Sequence, residues 1–138
     1  MKSKIDLNWT ENMTFKGNPD GHEIIFDADA KVGGTNKGAR PKQFMLYALA
    51  GCTGMDVVSI LKKMRVEFDD LSVSVEAEMT EEHPKHYKSM HVIYSFKGKN
   101  LPLKKIEKAV KLSEDQYCGV GVVYKKVMPV TSEIRIAE

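Results

Sequence analysis

With 138 residues the chain has the usual size of one domain, long enough to bury a core and short for two. Its 21 basic and 19 acidic residues leave a formal net charge of +2, which excludes the concentrated basic surface of a nucleic-acid binder. Met1-Lys2-Ser3-Lys4-Ile5-Asp6 lacks the apolar core of a signal peptide, and the longest apolar run, Phe44 to Ala50, is far below the roughly 20 residues of a membrane span. A soluble cytoplasmic protein is expected, with thiols kept reduced and any disulfide transient rather than structural.

Alternation in Lys4–Trp9 predicts a first strand, followed by a second around Asn12 to Lys16 and a third from His22 to Ala28, with Gly17-Asn18-Pro19-Asp20-Gly21 as the turn between the last two. Gly33-Gly34-Thr35-Asn36-Lys37-Gly38 is a glycine-rich connector. It lacks the spacing of a phosphate loop or a dinucleotide fingerprint, so no nucleotide site is read there. Pro41 suits a first helical turn, where its missing N–H costs nothing, and opens a helix expected to run to about Met64. Its first half, Phe44 to Ala50, is apolar on every side and should be surrounded by protein. In the second half Asp56, Ser59 and Lys63 mark one polar face.

Cys52 sits in this helix, four residues before Asp56 and on the same side, so its thiol should look toward the place where apolar core meets a polar cleft. A free cysteine is commonly just a small buried hydrophobe. Gly51 and Gly54, however, flank Cys52 although each glycine costs about 1 kcal/mol relative to alanine in a helix, which points to close backbone approach or space beside the sulfur.

Alternation resumes in Leu71–Met79 and again from Lys88 to Phe96, joined by Glu81-Glu82-His83-Pro84-Lys85-His86 as a hairpin loop. Its histidines and glutamates are metal-ligand types, but Pro84 and the loop setting argue against a fixed geometry, and no metal or cofactor is expected. Leu103, Ile106, Ala109 and Val110 form one face of a shorter helix. Ser113-Glu114-Asp115-Gln116 fits a capping box, which would put Cys118 in the first turns of a new helix. Amides at such a terminus lower a thiol pKa, while Glu114 and Asp115 oppose that pull. Met128-Pro129 ends this helix and Val130 to Ile136 is a final strand. The order βββ, long α, ββ, α, α, β describes an α+β domain of segregated, largely antiparallel strands.

In Arg40-Pro41-Lys42-Gln43-Phe44 through Gly51-Cys52-Thr53, in His83-Pro84-Lys85 and in Tyr117-Cys118-Gly119-Val120, in that order, the chain resembles the OsmC/Ohr family of osmotically inducible and organic hydroperoxide resistance proteins. It is most similar to the branch whose helix opens with Arg-Pro and whose first thiol lies in Gly-Cys-Thr. The resemblance implies a single OsmC-like domain over 1–138, with antiparallel sheets around a long central helix in an intertwined homodimer. It also implies reduction of organic hydroperoxides, with Cys52 attacking, Cys118 resolving through a Cys52–Cys118 disulfide, and a dithiol as reductant. The family pairs its attacking thiol with an arginine from an early strand-turn and a glutamate just after the helix-opening proline. Here Phe15 or Lys16, and Lys42, hold those positions, which leaves Arg40 as the nearest candidate cation beside its plain role at a helix entrance. The alternative is a non-peroxidatic small-ligand-binding or redox-sensing protein on the same fold.

Overall fold

The computed structural model describes all 138 residues, which pack as two compact units, 1–45 and 46–138. In the first, strands β1 (Asn8–Glu11), β2 (Thr14–Gly17) and β3 (Ile24–Phe26) form an antiparallel sheet in that order. β1 lies later than the alternation in Lys4–Trp9 suggests. The turn sets it: Asn12 takes a left-handed φ of 47°, and this tight reversal pairs Asn8 with Lys16 and Trp9 with Phe15.

The glycine-rich connector is organised by a buried carboxylate. Asp27 accepts hydrogen bonds from Ala28 N (2.7 Å), Lys37 N (3.0 Å), Thr35 Oγ1 (2.9 Å) and Thr14 Oγ1 (3.0 Å). Burial alone would raise its pKa, but these donors outweigh burial and hold the carboxyl well below the usual carboxylate range. Gly34 and Gly38 are required by close approach, since a Cβ at either would overlap the backbone of Ala28 or Ile25. The glycines therefore serve the folding of this loop.

Helix α1 (Pro41–Lys63) begins as the proline predicts and ends where Arg65 turns left-handed, φ 59°, with Val66 N bonded back to Leu61 O at 2.9 Å. From Leu46 onward it belongs to the second unit, where Leu49, Thr53, Val57 and Leu61 form one buried stripe at four-residue spacing. Leu46 and Ile60 pack partly against the same core, whereas Tyr47 is 68% exposed and Met55 76%. By length and composition α1 would pass as a membrane span, which the short run Phe44–Ala50 did not suggest, because its apolar character continues through Leu61. Its inner stripe instead joins the protein core.

The second sheet has the order β4 (Asp70–Met79), β5 (Tyr87–Lys97), β6 (Val130–Ala137). β4 and β5 form the expected antiparallel hairpin, whereas β6 runs parallel to β5, with Met90 opposite Val130 and Phe96 opposite Ile136. A parallel neighbour needs a long crossover, which is supplied by α2 (Leu103–Leu112), a π-helical turn (Ser113–Tyr117) and α3 (Gly119–Lys125). Met90, Val92, Tyr94 and Phe96 of β5 meet the α1 stripe and Ile106, Ala109 and Val110 of α2 in one core. The architecture is α+β, with two sheets and one long helix.

Candidate functional site

Cys52, one position before the buried Thr53, lies at the margin of the α1 stripe and is half-buried. Asp56, one turn on, lies on the same side. Cys118 arrives from the crossover and is 4% exposed. The Cys52 Sγ, the Cys118 Sγ and a carboxylate oxygen of Asp56 all lie within 4.8 Å of one another. Both thiols are free.

The crossover sets the second thiol through the π-helical turn. Cys118 N donates to Ser113 O at 2.8 Å, an i→i+5 bond that widens the chain before α3 starts. Cys118 is then itself the N-cap of α3, extended at φ −74° and ψ 99°, with its Sγ accepting from Gly121 N at 3.3 Å. Ser113 is no cap. The wide turn directs it inward, where it is fully buried and its hydroxyl donates to Asp56 Oδ2 at 2.9 Å.

From that serine a hydrogen-bonded chain runs through the core. Thr53 Oγ1 lies 2.8 Å from Ser113 Oγ and 2.7 Å from Tyr94 Oη, its single proton serving one of the two contacts, and Tyr94 Oη donates to Glu114 Oε2 at 3.2 Å. Ser132 Oγ donates to the other Glu114 oxygen at 3.2 Å, and Lys125 Nζ to the Glu114 carbonyl at 2.9 Å. Asp56 beside the thiols is thus connected to Glu114 through three hydroxyls. No buried side-chain nitrogen or oxygen is left without a partner.

Burial pushes the Cys118 thiol up to about 11; the Gly121 amide pulls the other way, while Cys52 and Asp56 add to the rise. A depressed Cys118 pKa at a helix terminus is therefore corrected, because a single amide donor does not offset the loss of water. Burial likewise raises the Tyr94 hydroxyl. Gly51 and Gly54 are not explained by backbone approach within the chain, as a Cβ at Gly51 meets nothing and one at Gly54 meets only Val73 at an ordinary 3.4 Å.

Arg40 belongs to the N-terminal unit, where its guanidinium donates to Asn36 Oδ1 (2.8 Å) and Gly38 O (3.0 Å) and lies 3.8 Å from Asp29. His83 and His86 stay exposed on their loop, and His86 Nδ1 pairs with the Tyr87 carbonyl at 2.9 Å. Sequence reasoning missed Thr53 and Tyr94 as site residues and gave Ser113 a different role. One signal was available: Tyr94 shares the inward face of its strand with Val92 and Phe96, and a buried tyrosine hydroxyl needs a partner.

The OsmC-like protein family model matches residues 34–133. The chain is 30% identical to protein YhfA of Escherichia coli K12 over 131 residues, 94% of this chain and 95% of that one. Among solved structures, a hypothetical protein of Aquifex aeolicus VF5 superposes with a TM-score of 0.83 at 30% identity, covering 100% of both chains. The organic hydroperoxide resistance protein OhrB of Bacillus subtilis superposes at 0.68 with 14% identity, covering 98% of each, a likeness of fold. On the matched span and the length of the alignments, the chain belongs to the OsmC-like protein family.

Proposed function

We propose that the protein is a thiol-dependent peroxidase that reduces organic hydroperoxides. The observation that carries this reading is the meeting of Cys52 and Cys118 within 4.8 Å, although distant chain segments deliver them. The Cys52 thiolate attacks the terminal oxygen of R–O–OH, the O–O bond breaks, and the products are a Cys52 sulfenic acid and an alkoxide that takes a proton to leave as alcohol. The Cys118 sulfur then displaces hydroxide from the sulfenic acid, forming the Cys52–Cys118 disulfide, and the thiol proton leaves with it as water. A dithiol reopens the bond by exchange.

The assignment of roles rests on the difference between the thiols. Cys118 is buried and, with its pKa pushed to about 11, is a thiol at neutral pH, whereas half-buried Cys52 is the more accessible sulfur. Asp56 is placed to take up and return the Cys118 proton, and Ser113 holds its carboxylate. The exposed Tyr47 and Met55 of α1 support a homodimer that buries them.

Peroxide consumption by Cys52→Ser and Cys118→Ser proteins tests this reading. Cys52→Ser should abolish consumption, while Cys118→Ser should react once and accumulate a sulfenic acid that dimedone traps. Equal residual activity in both favours a binding or redox-sensing module instead.

A further inference from the structure

Two thiols and a carboxylate converging from separate elements are also a donor set. Cys52 and Asp56 stand one turn apart on α1, and Cys118 approaches from the start of α3, with the three ligand atoms mutually within 4.8 Å. Around a tetrahedral Zn²⁺, with Zn–S about 2.3 Å and Zn–O about 2.0–2.2 Å, donors sit roughly 3.5–3.8 Å apart. From within 4.8 Å the donors need to close by no more than about 1.3 Å to reach that geometry, less than sulfurs at such a separation must move to form a disulfide bond of about 2.05 Å. The surroundings already resemble those of a metal ligand set. Ser113 donates to the Asp56 carboxylate and is held in turn by Thr53, the outer hydrogen bonding that orients ligating carboxylates, and Gly121 N–H points at the Cys118 sulfur.

We propose that Cys52, Asp56 and Cys118 form a three-ligand site for Zn²⁺ in the reduced protein, with the fourth position open to water or a small anion. Thiolate donors select a thiophilic ion over Mg²⁺ or Ca²⁺. Binding is proton exchange without redox change: two S–H bonds are lost, two Zn–S bonds form, and two protons are released. The metal uses the sulfur electron pairs that attack on peroxide or disulfide formation requires. Zinc therefore masks the thiols, and oxidation to the disulfide removes two of its three ligands. The site needs only reduced thiols and does not rest on the peroxidase reading.

The test is a titration of reduced, metal-stripped, full-length protein with Zn²⁺ in competition with a chromophoric chelator, together with Co²⁺ as a spectroscopic probe. The expected result is one Zn²⁺ per chain, a tetrahedral Co²⁺ spectrum with thiolate charge-transfer absorption, and protection of Cys52 from alkylation by zinc. Loss of a ligand should weaken binding at least as much as the 10–100-fold typical of outer-sphere changes, so Cys52→Ser and Cys118→Ser should fall by more than about 100-fold and Asp56→Asn by about 10-fold. A His83→Ala/His86→Ala protein should bind as the wild type does. A Co²⁺ complex of the wild type without thiolate charge transfer overturns the proposal, whatever the variants do. So does undiminished binding by Cys52→Ser, or binding lost with the loop histidines. Peroxide turnover measured with chelator present separates the two ideas: turnover without stoichiometric zinc binding removes the metal site alone, and zinc binding without turnover removes the peroxidase alone.

Discussion

Replacing Thr53 by valine removes the central hydroxyl of the buried chain while keeping the side-chain shape. Thr53 Oγ1 joins Tyr94 Oη at 2.7 Å and Ser113 Oγ at 2.8 Å, and all three residues are fully buried. The lost hydrogen bond costs about 0.5–1.5 kcal/mol net, and the neighbouring hydroxyls then face a methyl with part of their bonding capacity unmet, at about 1–3 kcal/mol per fully orphaned group. Neither is fully orphaned, because Tyr94 keeps Glu114 and Ser113 keeps Asp56, so the total is about 2–3 kcal/mol. Thr53→Ser keeps the hydroxyl and loses one methyl, about 1 kcal/mol. Urea unfolding at a fixed protomer concentration reads the difference: with a slope of about 2 kcal/mol/M, Thr53→Val should lower the midpoint by about 1–1.5 M and Thr53→Ser by about 0.5 M. A Thr53→Val midpoint within about 0.3 M of wild type, or a larger drop for Thr53→Ser, would refute a load carried by the hydroxyl chain.

In a Cys52→Ser protein with chelator present, the Cys52 contribution to the raised Cys118 pKa is gone but burial, its largest cause, remains, so alkylation of Cys118 should be slow at neutral pH and keep rising above the ordinary thiol value; a plateau near about 8.5 contradicts a burial-raised pKa. Asp27 has a folded pKa depressed below its unfolded value of about 3.9, so its contribution to stability is present above that pH and is lost as pH falls toward the folded value. The stability gap between wild type and Asp27→Asn should therefore shrink below about pH 4, and a gap that stays constant from pH 6 to pH 3 is inconsistent with the hydrogen-bonded carboxylate. Gly34→Ala forces a Cβ onto the Ala28 carbonyl and should destabilise by about 1–3 kcal/mol in urea unfolding, with a neutral effect ruling out that close approach.

Much of the fold could be read along the chain because local signals and tertiary structure agree. Pro41 starts α1, alternation marks β4 and β5, and Pro129 stands directly before β6, although the last helix already ends at Lys125, short of Met128-Pro129. What could not be read depends on partners far away in sequence. Nothing local in Val130–Ala137 says that it pairs parallel to β5, and nothing in Gly33–Gly38 names Asp27 as the acceptor around which that loop folds. β1 starts later than the alternation in Lys4–Trp9 suggests because its register comes from the left-handed Asn12 turn. Cys52 and Cys118 are conspicuous as the two thiols of the chain and are paired as attacking and resolving by the resemblance, while Asp56 is visible only as one position of a polar helix face on the side of Cys52. Ser113 matches a capping pattern that the π-helical turn overrides, because the wider turn closed by the i→i+5 bond directs its hydroxyl to Asp56 and not to a helix terminus.

The most direct test of the account is peptide mapping, without reduction, of reduced and metal-free protein treated with one equivalent of an alkyl hydroperoxide. The proximity of the two sulfurs predicts that the dominant product is an intramolecular Cys52–Cys118 disulfide, formed with loss of both free thiols. Recovery of only intersubunit or mixed disulfides, or of both thiols unreacted after the peroxide has been offered, would contradict the two-thiol mechanism.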